Sequence, residues 1–237
     1  METVSERLKT IDWDQVAGTM HEKGYVVLSD IVPETICNTL IDQYNESGLY
    51  RKTVVMERYR FGKGEYKYFD YPLPDLIQQL RSEVYEKLVP IANLWMKALH
   101  IDTRYPEKHQ ELLELCKDNN QLKPTALILN YTKGGFNTLH QDLYGEVYFP
   151  IQMVLFLNET GEAYTGGEFV LTEQVPRAQS KAIVLQPKRG DILIFTTNFR
   201  PVRGTKGYYR VGMKHGVSEV RSGNRYTMGI IFHDAIS

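Results

Sequence analysis

The chain has 237 residues, 42% of them hydrophobic and 11% aromatic, with a formal net charge of −1; this is enough apolar content for one substantial core, and a charge balance that singles out no class of partner. Two cysteines, Cys37 and Cys116, are too few and too far apart for a disulfide framework or a cysteine-built zinc site. No apolar run approaches the roughly 18 residues of a membrane helix, and the polar start METVSERLKT lacks export-signal character, so the expectation is a soluble, cytoplasmic protein with no membrane partner.

The first third reads as helix. Residues 12–23 begin at an Asp cap and stop at Gly24, where backbone capping and left-handed φ favour those residue types. The strand YVVL follows, and Pro33 opens a second helix whose Ile36, Leu40 and Ile41 keep helical spacing up to Gly48. Two aromatic-rich runs around Gly-Lys-Gly predict a β-hairpin over 54–71, carrying Tyr59, Phe61, Tyr66, Tyr68, Phe69 and Tyr71. A long helix over 74–100, with Leu76, Leu80, Val84, Leu88, Ile91 and Trp95, is expected to pack on a sheet. A shorter helix covers 107–118.

From 123 onward the texture changes to short runs rich in Val, Ile, Phe, Tyr and Thr: ALILNY, FNTLHQD, YFPIQMVLFLN, GGEFVLTE, KAIVLQP, DILIFTT, YYRVGMKHGVS and NRYTMGIIFH. About eight strands after a set of helices predict an α+β chain with a mainly β core, a jelly roll or barrel buttressed by helices. One domain is expected over 1–237, with 1–122 as mostly helical support and 123–237 as the β core.

Residues two apart on a strand share a face, so His140 and Asp142 can converge on one ion while Leu139 and Gln141 turn away. Far downstream, His215 shares parity with Tyr209, Val211, Met213 and Val217, a face expected to point into the barrel. Two imidazoles and a carboxylate on one face of an octahedral ion leave positions open, as non-haem iron(II) oxygenases require. A chain with six histidines also produces such triplets by chance. Arg225, ten residues after His215, shares an inward face with Thr227, Gly229 and Ile231. A cation there needs a partner, which a dicarboxylic co-substrate would supply through a bidentate clamp helped by the Thr227 hydroxyl. An internal ion pair is the alternative. Tyr131 can donate from the other side or serve as a core tyrosine. His21, His100 and His109 fall on helices, and His233 with Asp234 is the competing metal pair.

Charge is uneven along the chain. Residues 177–225 hold eleven Lys or Arg against two acids, a local +9, which leaves seventeen against twenty-seven, or −10, for the rest. The basic stretch contains both His215 and Arg225.

Taken together, LHQDLYGE, TGGEF, GDILIF, HGV and, ten residues beyond His215, RYT resemble the iron(II)- and 2-oxoglutarate-dependent oxygenase superfamily, whose core is a double-stranded β-helix. The stretch LILNYTKGGFNTLHQD looks like the corresponding segment of AlkB-type nucleic-acid demethylases, which place a tyrosine nine residues before the first ligand, as Tyr131 stands here. The resemblance is closest to a bacterial family described as acting on damaged DNA, and it runs over residues 50–234. It implies His140, Asp142 and His215 as the Fe(II) ligands and Arg225 as the 2-oxoglutarate anchor, helped by Thr227 and Tyr131. Dioxygen would be the second co-substrate, DNA or another nucleic acid the partner, and DNA repair the process. In that chemistry a C–H bond is hydroxylated, and an N-methyl group leaves as formaldehyde. Two AlkB features are missing: Ile231 stands where a second arginine follows the anchor, and Leu129 where an asparagine precedes the tyrosine. Those departures bear on the substrate and leave the iron chemistry intact.

The basic stretch and the aromatic hairpin favour a nucleic-acid substrate, although basic barrel residues also form solvated outer faces and hairpin aromatics also pack on cores. The alternatives are a hydroxylase of a protein side chain or free amino acid and, in a different class, a non-enzymatic cupin-like metal-binding module.

Overall fold

The computed structural model describes residues 3–237. Five helices form: α1 (Val4–Lys9), α2 (Trp13–Lys23), α3 (Glu34–Asp42), α4 (Asp75–Ala98) and α5 (His109–Asp118). The Asp12 side chain accepts from the backbone N–H groups of Asp14 and Gln15, and Gly24 closes α2 at φ 77°, the expected cap and stop. The short α1 is an addition, started by a reciprocal capping box between Thr3 and Glu6; six residues are too few to show a helical period. The second helix ends at Asp42 rather than Gly48, giving way to two 3-10 turns, Gln43–Asn45 and Ser47–Leu49.

The strands, in chain order, are β1 (Tyr25–Leu28), β2 (Tyr50–Val55), β3 (Gly62–Lys63), β4 (Glu65–Phe69), β5 (Leu127–Tyr131), β6 (Phe136–His140), β7 (Ile151–Phe156) and β8 (Tyr164–Gly166). They continue with β9 (Phe169–Gln174), β10 (Lys181–Leu185), β11 (Ile192–Thr196), β12 (Phe199–Gly204), β13 (Gly207–Val217), β14 (Val220–Gly223) and β15 (Arg225–Ile230). A major sheet has the order β1-β11-β7-β15-β5-β4-β2, and a minor sheet the order β10-β9-β13-β6-β3 with β12 paired to β13. Every named pairing is antiparallel. The fold is α+β, with a double-stranded β-helix as its core.

Alternation along the major-sheet strands separates two apolar compartments. Ile128, Met153, Leu155, Ile194, Met228 and Ile230 face the helices and share one core with Val84, Leu88 and Trp95 of α4. The opposite parity, Val154, Phe156, Leu193 and Phe195, meets Phe169 and Leu171 of β9 inside the roll. Strands covered on both faces read as unbroken apolar runs, as IQMVLF does in β7, where all six residues are buried. Three strands from the first half of the chain, β1, β2 and β4, join this same sheet.

The hairpin expected over 54–71 forms between β2 and β4, but Gly-Lys-Gly is not its turn. The chain leaves β2 through a 3-10 turn, Met56–Tyr59, and then crosses to the minor sheet, where Gly62 pairs with Asn137 and Lys63 with Phe136. At Gly62, with φ 139°, a Cβ would lie 2.2 Å from the Phe136 carbonyl oxygen. Glycine stands there because two backbones approach closely at positive φ.

Past β15 the chain is tied to α4. Arg81, fully buried, donates from Nε to the Ile231 carbonyl at 2.9 Å and from Nη2 to Asp234 Oδ1 at 2.6 Å, while Tyr71 donates its hydroxyl to Asp234 Oδ2 at 2.9 Å. His233 Nδ1 accepts from the Phe149 N–H at 3.1 Å, and burial pulls its ring down to about 3. Asp234 therefore partners Arg81, and the competing His233–Asp234 metal pair does not form. Asp234→Ala leaves a buried, uncompensated guanidinium and is expected to cost about 3–5 kcal/mol, read as a lowered unfolding midpoint in denaturant. Tyr71→Phe removes one hydroxyl from the same network and should cost about 1 kcal/mol.

Candidate active site

The minor sheet sets two histidines face to face. In the β6·β13 ladder His140 and His215 are direct cross-strand partners, and their ring centroids lie 4.2 Å apart. β6 ends at His140, so Asp142 is not on the strand as expected but just beyond it. There its N–H donates to Thr197 Oγ1 at 2.8 Å and its carboxylate swings between the rings. Asp142 Oδ1 is 3.4 Å from His140 Nε2, and Oδ2 is 3.2 Å from His215 Nε2. Leu139 turns outward, and Gln141 donates to the Asn198 and Met213 carbonyls.

Each ligand-type atom is oriented by its neighbours. A carbonyl only accepts, so the 2.8 Å contact of His140 Nδ1 with Thr138 O places the proton on Nδ1 and leaves the Nε2 lone pair facing the centre. His215 is buried between the ring of Phe169, stacked at 5.9 Å, and that of Phe195 at 4.9 Å, and burial lowers its pKa. Burial by itself would raise the Asp142 carboxyl, but the two imidazoles bracketing it, His215 foremost, hold it well below the usual carboxylate range. Two further donors reach it: the Tyr144 hydroxyl to Oδ1 at 2.8 Å and Gln152 Nε2 to Oδ2 at 2.9 Å. The three ligand-type atoms lie within 4.8 Å of one another, forming the one such cluster among the described residues.

β15 and β5 supply the second half. Arg225 and Tyr131 are register partners, as are Thr227 and Leu129. Arg225 is 1% exposed, and its guanidinium lies 5.6 Å from the Tyr131 ring centroid and 5.4 Å from that of Phe156. Nη1 donates to Thr227 Oγ1 at 3.3 Å, whereas Nε and Nη2 are buried with no partner. Among the described residues no acid pairs with Arg225, so the internal ion pair weighed as the alternative is absent. Tyr131, its hydroxyl raised to about 12 by burial, accepts from Asn137 Nδ2 at 3.2 Å and keeps its own proton to donate. All six expected site residues, His140, Asp142, His215, Arg225, Thr227 and Tyr131, line one cavity of about 240 Å³.

Sequence reasoning missed Gln152 and Tyr144. Gln152 lies 3.4 Å from His215 Nε2 as well as touching Asp142, and its Oε1 is buried without a partner. A lone amide in the apolar run PIQMVLFL was its signal. The other histidines have structural roles: His21 Nδ1 accepts from Trp95 Nε1 at 2.8 Å, His109 Nε2 meets the Phe232 carbonyl at 2.7 Å, and His100 is an exposed positive-φ residue following α4. The basic stretch is also corrected. Of its eleven cations only Arg225 lines the cavity, while Arg189, Arg200 and Arg221 pair with Glu34, Glu173 and Glu168.

The donor set suits a non-haem iron, with one imidazole oriented by its Nδ1 contact to Thr138, a second imidazole, and an ionised carboxylate. The two unpaired N–H groups of Arg225 suit a carboxylate from outside the chain. Comparison with known proteins agrees. Among curated proteins, the uncharacterized protein Rv2227 of Mycobacterium tuberculosis is 45% identical over 167 residues, 70% of this chain and 72% of its own length. A prolyl-4-hydroxylase structure from Pseudomonas putida superposes with a TM-score of 0.55 at 13% identity, covering 92% of this chain and 96% of that one. A 2OG-Fe(II) oxygenase family oxidoreductase from Burkholderia pseudomallei gives 0.52 at 15% identity, over 95% and 94%. At those identities the two structures establish a shared fold. Residues 64–235 match the family described as "Oxygenase, catalysing oxidative methylation of damaged DNA", and with fold and donor set in agreement the chain belongs to that family, within the iron(II)- and 2-oxoglutarate-dependent oxygenases.

Proposed function

We propose that the protein oxidises an N-alkyl group on a nucleic-acid base, with His140, Asp142 and His215 as the iron ligands and Arg225 as the anchor of 2-oxoglutarate. The observation that supports the co-substrate role most directly is the guanidinium of Arg225, buried and unpaired in the same cavity as the His-Asp-His cluster. A buried cation without a counter-charge is costly, and the far carboxylate of a five-carbon diacid relieves that cost through a bidentate bond. Thr227 turns its hydroxyl toward the same place, and Tyr131 contributes its phenolic proton. Iron(II) and 2-oxoglutarate, when bound, supply the oxidising power by activating dioxygen, with succinate and carbon dioxide as co-products.

The protein's own residues position and exclude. Tyr144 and Gln152 hold the Asp142 carboxylate by one oxygen each, which fixes its tilt toward the histidines. Phe169, Val154 and Val217 wall the centre with apolar surface, keeping bulk water from it. Apart from Asp142 and Arg225, the cavity lining has no carboxylate and no Lys or Arg. The ammonium and carboxylate of a free amino acid would find no further charged partner there, whereas Met56, Phe61, Tyr66 and Leu129 offer a planar base apolar and aromatic surface. The family description, which names damaged DNA, points the same way.

His140→Ala should abolish the visible charge-transfer band that appears when iron(II) and 2-oxoglutarate are mixed anaerobically with the wild-type protein. Gln152→Leu should keep the fold and weaken metal binding about 10- to 100-fold, measured by titration with Mn(II). Arg225→Lys keeps the charge but loses the fork and should weaken 2-oxoglutarate about 10- to 100-fold in calorimetry, with metal affinity nearly unchanged. For the substrate, N-methylated oligonucleotides should yield formaldehyde and succinate in equal amounts. Stoichiometric succinate with a peptide, and none with any alkylated oligonucleotide, would replace this substrate with a protein side chain.

A further inference from the structure

At the mouth of the cavity stands a surface that the metal and co-substrate chemistry does not use. After Glu57, whose Oε2 accepts from the Gly64 N–H at 3.3 Å, the crossing from β2 to the minor sheet carries Arg58, Tyr59, Arg60, Phe61, Gly62 and Lys63, cations and aromatics in alternation. Tyr59 and Phe61 are large aromatics left in the open, 55% and 45% exposed. They are not splayed: the two rings stack at 5.5 Å between centroids and 19° between planes. Phe61 also lines the cavity beside Thr138 and Met56, so the stacked pair runs from solvent to the rim of the site.

The platform is rigidly mounted. Thr138 donates to the Phe61 carbonyl twice, from its N–H at 2.9 Å and its hydroxyl at 2.8 Å. The Met56 carbonyl accepts from the Phe61 N–H at 3.2 Å, and the Gly62–Asn137 pairing holds the next residue against β6. A platform held in place loses little freedom when a ligand stacks on it. Arg58, Arg60 and Lys63 are exposed, and none is paired with an acid among the described residues. Lys63 Nζ passes over Gly134, about 3.0 Å from where a Cβ would stand, which continues the positive edge into the turn that bears exposed Lys133.

We infer that Tyr59 and Phe61 form a stacking platform for an unpaired base next to the reacting one, with Arg58, Arg60 and Lys63 along the adjoining phosphates, so that the partner is a single-stranded nucleic acid. This rests on the nucleic-acid reading above and narrows it. An exposed π-face flanked by fixed positive charge matches what a single strand offers: bases with free faces on a regularly charged backbone. A duplex hides those faces in its own stack and presents only backbone and groove edges. The cavity makes the same demand, because an atom inside a stacked pair cannot reach a buried metal centre.

The test is fluorescence anisotropy of the full-length protein with a labelled oligothymidylate and with a duplex of equal length, across a salt series. The expected result is single-strand binding at least about 10-fold tighter than duplex binding. Tyr59→Ala should weaken it by roughly 5- to 100-fold and Tyr59→Trp should restore it. Converting Arg58, Arg60 and Lys63 together to Gln should flatten the salt dependence, by about 0.7 in log–log slope for each phosphate that is no longer neutralised. Because Tyr59 is mostly solvent-exposed, the thermal midpoint of Tyr59→Ala serves as the folding control and should stay at the wild-type value. Equal or tighter duplex binding, or a Tyr59→Ala variant that binds like wild type, overturns the platform while leaving a nucleic-acid substrate standing. Absence of binding to either form at low salt overturns both.

Discussion

β13 runs antiparallel to β6 in a register that sets His215 opposite His140, and the chemistry of the site depends on that pairing. A slip of one residue would turn His215 outward and bring Lys214 into the roll, because strand side chains alternate. The register is pinned from both sides. β9 pairs with β13 over six consecutive residues, from Gly212 to Val217, and on the other edge Gly216 lets β6 approach, since a Cβ there would sit 2.7 Å from the Asn137 carbonyl oxygen. The ladder shifts between His215 and Val217, as bulges next to functional sites often do.

The interior of the roll holds one negative and one positive centre, and they are satisfied differently. Asp142 receives donors from Tyr144 and Gln152 and is bracketed by two imidazoles. Arg225 donates to Thr227 and has the Tyr164 hydroxyl beside it, but two of its buried nitrogens, Nε and Nη2, are left over. Elsewhere the fold satisfies its buried guanidiniums, as Arg81 with Asp234 and Arg200 with Glu173 show. That contrast is what supports the role proposed for Arg225 as anchor of a diacid, and a diacid bound there would stabilise the folded chain by mass action.

Charge at the surface is arranged differently from charge along the sequence. The basic stretch 177–225 spreads over outward strand faces and local ion pairs, and it reaches the cavity only through Arg225. The cations at the rim belong to the crossing between β2 and β4, in a segment whose aromatics point into solvent rather than into a core. On a strand an alternation of Arg and aromatic residues would gather the aromatics on one face, but Met56–Tyr59 is a 3-10 turn and Tyr59 and Phe61 stay largely in solvent, the exposure on which the proposed platform rests.

Elements whose signals are local were legible in the chain alone: the capped α2, the long apolar stripe of α4, and the β runs from 123 onward. So were the later His215 and Arg225 with Thr227 on one face, because strand parity is a two-residue rule that needs no tertiary knowledge; the His-x-Asp pair was legible as a pair, although Asp142 reaches the centre from beyond the strand end. Features that depend on distant partners emerged only on folding. Gly-Lys-Gly became a crossing between sheets because Phe136 comes within reach of Gly62, and Asp142 left its strand because Thr197 captures its N–H. Gln152 looked like one polar residue in a core strand until the fold brought it against Asp142 and His215. Whether Arg225 had a protein partner was likewise undecidable along the chain, since an ion pair forms between residues that only folding brings together.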